Sequence, residues 1–202
     1  KTDEIKENDT AKGGLFNLGA FLQLTGGNSA YGMEAKNSVE LAVKQINEAG
    51  GLNGQQINLI VYDTQGSPEE AVKVVQKMIE SDNLNACIGS INSAEVLAAA
   101  GFLNDENILT LGLGTSPNWM EEDWPYVFRP AMNNNRATPI VTSMIKEDCG
   151  IESVAIFKGQ DDASLATSEA FVEHCEEVGI EVLANESYDL GDTDFSAQVA
   201  NM

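Results

Sequence analysis

Apolar residues along this chain fall into two alternating rhythms, short unbroken runs and longer stretches with a 3.6-residue stripe. Leu15 to Leu24 is a run of strand length with no amphipathic period, which predicts a strand buried on both faces. The next stretch places Val39, Ala42, Val43 and Ile46 on one helical stripe, and Gly50-Gly51 stops it. Gln56 to Asp63 returns as a strand, with Ile57, Leu59 and Val61 in alternation. Ser67-Pro68-Glu69-Glu70 predicts a helix start: Ser67 as N-cap, Pro68 at the first helical position and Glu70 closing a capping box. The stripe behind it is Ala71, Val74, Val75, Met78 and Ile79. Leu84 to Gly89 reads as a short strand, Ser93 opens a helix through Leu103, and Ile108 to Leu111 is strand-like again. This β-α-β-α-β-α-β order predicts an α/β fold with a parallel sheet and right-handed crossovers.

Between Gly112 and Asn135 the rhythm breaks. Gly114-Thr115-Ser116-Pro117-Asn118 is loop chemistry, and Tyr126 to Arg129 looks like one more short strand before a crossover. Thr138-Pro139 then opens a helix with Ile140, Val141, Met144 and Ile145 inward, ended by Gly150. Ser153 to Phe157 is a strand. Ala163 to Val178 is a helix with Ala163, Ala166, Ala170, Phe171, His174, Cys175 and Val178 on its inner stripe, stopped by Gly179. Ile180 to Ala184 is the next strand, and a last helix starts near Asp194-Phe195-Ser196. About two strands are too few to close a sheet of their own. Either this layer extends the first sheet, or the sequence is a fragment of a longer protein, and the fragment is favoured. Residues 1–14, polar and without periodicity, read as a flexible leader or tether.

Charge narrows the partners. Thirty-two acids against eleven bases give a formal net charge of -21, which repels nucleic acid and anionic lipid alike. No apolar stretch approaches the roughly 20 residues that a membrane span needs, and no signal-peptide pattern is present. Cys87 and Cys175 lie on apolar positions and read as small core residues. Without C-x-x-C spacing the three cysteines leave a disulfide, and the compartment, open.

In a parallel sheet, ligands bind beyond the carboxyl ends of the strands. The loops there are Thr25 to Tyr31, Asp63 to Ser67, Ser90 to Ser93, Gly112 to Asn118 and Lys158 to Ala163. Ser93 at a helix start reads either as an ordinary N-cap or as a hydroxyl and amides offered to a carboxylate. Ser116, with Gly114 and Thr115, is either a plain turn or a second set of amides near the same point. Tyr31 either covers an apolar ligand group or packs within its loop. Asp161-Asp162 stands at a strand end and is a candidate polar contact. His174, on an apolar face, reads as a core or boundary residue, and Glu121-Glu122-Asp123 as a solvated loop. No nucleophile elbow, H-E-x-x-H or Walker loop is present, so the sequence nominates no catalytic residue, no metal site and no cofactor.

Three segments carry a resemblance: Leu24-Thr-Gly-Gly-Asn-Ser-Ala-Tyr31-Gly32, Ala42 through Gly54, and Val61-Tyr62-Asp63. Ile88-Gly89, Thr115-Ser116-Pro117 and Asp194-Phe195 follow in order and spacing. Together these resemble the substrate-binding proteins of branched-chain amino acid ABC transporters, within the type I periplasmic binding protein fold. The resemblance implies two Rossmann-like parallel-sheet lobes in α/β/α layers: a first lobe over residues 15–133 and a partial second lobe over 134–202, truncated at Met202. It implies no enzyme activity and no cofactor. The chain would be exported, either periplasmic or lipid-anchored at the cell surface, and would bind an amino acid or related carboxylate for a membrane permease. A sensory ligand-binding domain on the same fold is the alternative. By the same resemblance Ser93 takes the ligand's carboxylate and the Gly114 carbonyl takes its ammonium. Ser116 contacts both groups, with Thr115 between them, and Tyr31 flanks the side-chain pocket. The chain departs from the family pattern where a Tyr-Gly pair is usual in the second lobe; here Asp161-Asp162-Ala163-Ser164 stands, leaving Asp162 as the contact.

Overall fold

The computed structural model describes residues 14–132, 134–189 and 191–202, and the side chain of Asp162 is not described. The anticipated leader thus falls almost wholly outside the described residues, as does the anticipated boundary residue Asn133. The first part alternates strands and helices: β1 Phe16–Leu22, α1 Ser29–Glu48, β2 Ile57–Asp63, α2 Pro68–Ser81, β3 Ala86–Ile88, α3 Ser93–Asp105 and β4 Leu109–Leu111. A 3-10 turn, Asn118–Met120, and β5 Val127–Phe128 complete it. All five strands pair in parallel in the order β2-β1-β3-β4-β5, with Leu18 of β1 between Leu59 of β2 and Ala86 of β3. Chain order reverses on either side of β1, so the loops after β1 and β3 part and leave a crevice between them.

The core explains why the sheet takes this shape. Ala20, Phe21 and Leu22 are wholly buried, each large side chain adding roughly 1.5–3 kcal/mol by leaving water. Phe21 and Cys87 meet Ala71, Val74, Val75 and Met78 of α2 with Ala99 and Leu103 of α3. The opposite side of α3 buries Val96 and Ala100 against Trp119 and Val127. Being covered on both sides, α3 is apolar nearly all round. Ser67 caps α2, its Oγ accepting from the Glu70 amide at 3.3 Å. The reciprocal half of the expected capping box does not form. The Ser67 N–H already donates to the Thr64 carbonyl, and the Glu70 carboxylate pairs instead with Lys73 at 3.0 Å.

Two expectations for α1 are corrected. The helix starts at Ser29, so Tyr31 lies in its first turn rather than in a loop. Gly32 makes that start possible: a Cβ there would sit 1.7 Å from the Gln23 carbonyl oxygen, so the helix rests directly on the chain leaving β1. Of the anticipated stripe, Val43 is buried and Val39 half-buried, while Ala42 and Ile46 face solvent. The helix runs along β1 and the edge strand β2, which cover only a narrow line of it.

The second part is α4 Asn134–Glu147, β6 Ser153–Gly159, α5 Asp162–Val178, β7 Glu181–Tyr188 and α6 Ser196–Asn201. Its two strands pair in parallel as a separate sheet and do not extend the first. Phe157, Tyr188 and Phe195 form an aromatic cluster with centroids 4.8 to 5.4 Å apart. The reading of α4 is corrected. It begins at Asn134, so Pro139 is inside it, and Ile140 (62% exposed), Val141 and Met144 face solvent rather than the core. The helix packs chiefly on α5, and its buried residues are Thr138 and Thr142. Both hydroxyls are satisfied within the helix, Thr142 Oγ donating to the Thr138 carbonyl at 3.0 Å and Thr138 Oγ to that of Asn134 at 3.0 Å. Cys175 on α5 is buried, and His174 is partly buried with Nδ1 2.8 Å from Glu177. All three cysteines are free; Cys87 and Cys175 are buried, and Cys149 is exposed.

Candidate functional site

Adjacent strands β3 and β4 bring together two residues 23 positions apart. Ser93, the first residue of α3, and Ser116, in the loop after β4, are both buried, and the Ser116 amide donates to Ser93 Oγ at 3.1 Å. Ser93 is not the N-cap. Asn92 takes that role, its Oδ1 accepting from the Ala94 amide at 3.0 Å. Relieved of capping, Ser93 Oγ accepts from the Ser116 amide instead, which leaves its O–H able to donate. Ser116 Oγ accepts from the Asn118 amide at 3.3 Å and starts the 3-10 turn. Gly114 lies flush on Ser93: a Cβ at Gly114 would sit 2.6 Å from Ser93 Oγ.

Ser93 lines a cleft of about 280 Å³ with Asn28, Gly66, Ile91 and Asn92, and Asp161 and Ala163 close it from the other side. Asp161 caps α5, accepting from the Ser164 amide at 3.0 Å and the Ser164 hydroxyl at 2.6 Å. Thr115 faces a second, larger cavity of about 540 Å³ with Asn134, Phe157, Lys158, Ser164 and Tyr188. Ala163 lines both. Ser93, Gly114, Thr115 and Ser116 therefore form one knot between β3 and β4. Tyr31 stands apart on α1, 66% exposed, and lines neither cavity. Asp162 follows Asp161 at the opposite wall, its side chain outside the described residues.

Three supporting residues are given no role by the sequence. Asp63 at the end of β2 gathers the loop after β1: it accepts from the Leu24 amide at 2.9 Å, the Thr25 amide at 3.2 Å, the Thr25 hydroxyl at 2.7 Å and the Gln65 amide at 2.9 Å. Burial alone would raise its pKa, but these donors together bring it below the usual carboxylate value. Glu95, in the first turn of α3, is wholly buried and accepts from the Thr64 hydroxyl at 2.7 Å. Burial pushes its pKa up, the Ser90 and Thr64 hydroxyls oppose this, and the charge on Asp63 adds to it. Arg129, just after β5, donates to the carbonyls of Thr115 (2.9 Å) and Ser116, with its guanidinium 4.4 Å from the centre of the Trp119 ring. An acid at the third position of an otherwise apolar helix was the one available signal for Glu95. Asp63 is marked only as the end of the Val61-Tyr62-Asp63 segment, and Arg129, an ordinary polar residue after a strand, carries no signal.

Hydroxyls and amides converge at the carboxyl ends of a parallel sheet, and among the described residues no cluster of His, Cys, Asp and Glu could hold a metal. No helix among them is long and apolar enough to cross a membrane.

Comparison with known proteins identifies the family and the fold. The family model described as "Periplasmic binding protein" matches residues 16–202. The leucine-, isoleucine-, valine-, threonine- and alanine-binding protein of Pseudomonas aeruginosa is 26% identical over 180 residues, 89% of this chain and 48% of that protein. The branched-chain amino acid transporter substrate binding protein of Streptococcus pneumoniae, solved with isoleucine, has a TM-score of 0.83 at 22% identity, covering 93% of this chain and 53% of its own. A solute binding protein of an ABC transporter from Rhodopseudomonas palustris, solved with 3,4-dihydroxybenzoic acid, has a TM-score of 0.83 at 21% identity, covering 93% and 51%. The fold is that of type I periplasmic binding proteins, and the chain spans about half the length of these relatives.

Proposed function

Because the chain belongs to the periplasmic binding protein family, we propose that it serves as the extracytoplasmic solute-binding component of an ABC transporter. Its ligand is an amino acid or a similar small carboxylate, handed on to a membrane permease. The two sheets are the cores of two lobes, residues 15–133 and 134–202, that close on the ligand in a hinge motion. The observation that carries this reading is the Ser93–Ser116 contact on the β3 side of the crevice where the strand order reverses. The Ser93 hydroxyl and the first-turn amides of α3 hold the carboxylate by charge-assisted hydrogen bonds. The Gly114 carbonyl takes an ammonium, Ser116 and Thr115 complete the head-group site, and Tyr31 covers the tail as Asp162 approaches from the second lobe.

The relatives solved with isoleucine and with 3,4-dihydroxybenzoic acid share the carboxylate and differ in the ammonium. Calorimetry on the full-length protein against the amino acids and a series of benzoates tests the reading. Binding of at least one acid tighter than about 1 mM, roughly -4 kcal/mol, is expected. No binding at that level across both series refutes it.

A further inference from the structure

Among the described residues, Arg129 is a cation whose charge has no carboxylate counterpart. Ion pairs among the described residues use Lys36, Lys44, Lys73 and His174, and none of their carboxylates comes within pairing distance of Arg129. Its fork points instead at two backbone carbonyls, those of Thr115 and Ser116. Trp119 holds the guanidinium in place, and Trp119 itself is fixed against Val96 and Ala100 of α3. The Thr115 carbonyl belongs to the same peptide unit as the Ser116 N–H, and that N–H donates to Ser93 Oγ. Arg129, the Thr115–Ser116 peptide and the Ser93 hydroxyl therefore form one chain of hydrogen bonds with every donor pointing the same way. Each link in such a chain polarises the next, most strongly when its first member is charged.

We propose that Arg129 is a positioning residue for an anionic head group. Its charge passes through the Thr115–Ser116 peptide and strengthens the Ser93 hydroxyl as a donor to the ligand's carboxylate, so Arg129 sets the preference for an acid over its amide without touching either. This rests on the carboxylate-binding reading of the Ser93 site. A purely structural Arg129 that only braces the loop would serve acid and amide equally.

The experiment compares an acid with its amide in the full-length protein, using L-isoleucine with L-isoleucinamide and 3,4-dihydroxybenzoate with 3,4-dihydroxybenzamide. Whichever acid binds the wild type serves as probe. Arg129→Gln keeps a donor and removes the charge. It is expected to weaken acid binding about tenfold and amide binding less than about twofold. Equal losses for acid and amide, or no loss for either, overturn the proposal and leave the carboxylate site standing. Failure of the wild type to bind any acid removes the site and this proposal with it. If Arg129→Gln does not fold, Arg129→Lys carries the test. It keeps the charge and loses the fork, so the acid-over-amide preference should stay within about threefold of wild type. Collapse of that preference overturns the proposal.

Discussion

Gly114→Ala adds one methyl group at the most crowded point of the candidate site. The new Cβ would lie 2.6 Å from Ser93 Oγ, 2.8 Å from Ser93 Cα and 3.1 Å from Ser93 N, whereas ordinary contact begins at 3.4 Å. A side-chain oxygen can rotate away, but the Ser93 backbone has to retreat by about 0.6 Å, and it opens a helix packed on both sides. Overpacking of this kind costs about 1–3 kcal/mol, which for a domain of this size lowers the melting temperature by roughly 2–12 °C. The same retreat breaks the 3.1 Å bond from the Ser116 amide and swings the Ser93 hydroxyl off its line. Loss of a hydrogen bond to a charged group costs about 1.5–3 kcal/mol, so affinity for the bound acid should fall roughly 10- to 150-fold. Calorimetry and thermal melts on the same preparation measure both. Gly27→Ala is the control, since a Cβ there meets nothing within 4 Å, and it should move stability by less than about 0.5 kcal/mol. Wild-type affinity in Gly114→Ala, with or without a lowered melting point, would show that Ser93 is not part of the grip.

Two further outcomes follow from the buried titratable groups. The Glu95 pKa is raised above its ordinary 4.5, so its contribution to stability is complete below about pH 4.5 and is lost as pH rises through the folded-state value. Glu95→Gln, which cannot ionise, should therefore gain on wild type in urea midpoint between about pH 5 and pH 8, and a constant difference across that range would refute a raised pKa. Of the three thiols, Cys149 should react quickly with an aromatic disulfide reagent under native conditions. Cys87, pushed up to about 12 by burial, and Cys175, raised by the same cause, should react only on unfolding, and two or more fast thiols would contradict the packing.

Where local chemistry governs an element, the sequence was readable. For α2, Ser67, Pro68 and a five-residue stripe agreed, and the helix runs as expected. Prediction of α4 failed because Pro139 looked like a first-turn proline and because the buried residues are threonines, whose hydroxyls turn back on the helix; apolar periodicity cannot see them. Prediction of Tyr31 as a loop residue failed because the helix start depends on Gly32 meeting the Gln23 carbonyl, a contact between elements. At the site, Ser93 and Ser116 were visible as loop hydroxyls, but the bond between them exists only because β3 and β4 are neighbours. Arg129 was hidden for the same reason, since its partners lie 13 and 14 residues away and no motif marks it.

Across the cleft from Ser93, the opening turn of α5 already holds a carboxylate of its own, that of Asp161. The partial positive charge that a helix start would offer a visiting anion is thereby answered from within. On the proposed reading, an acidic guest would meet attraction at one wall and repulsion at the other, and would therefore lie with its head toward α3 and its tail toward α5.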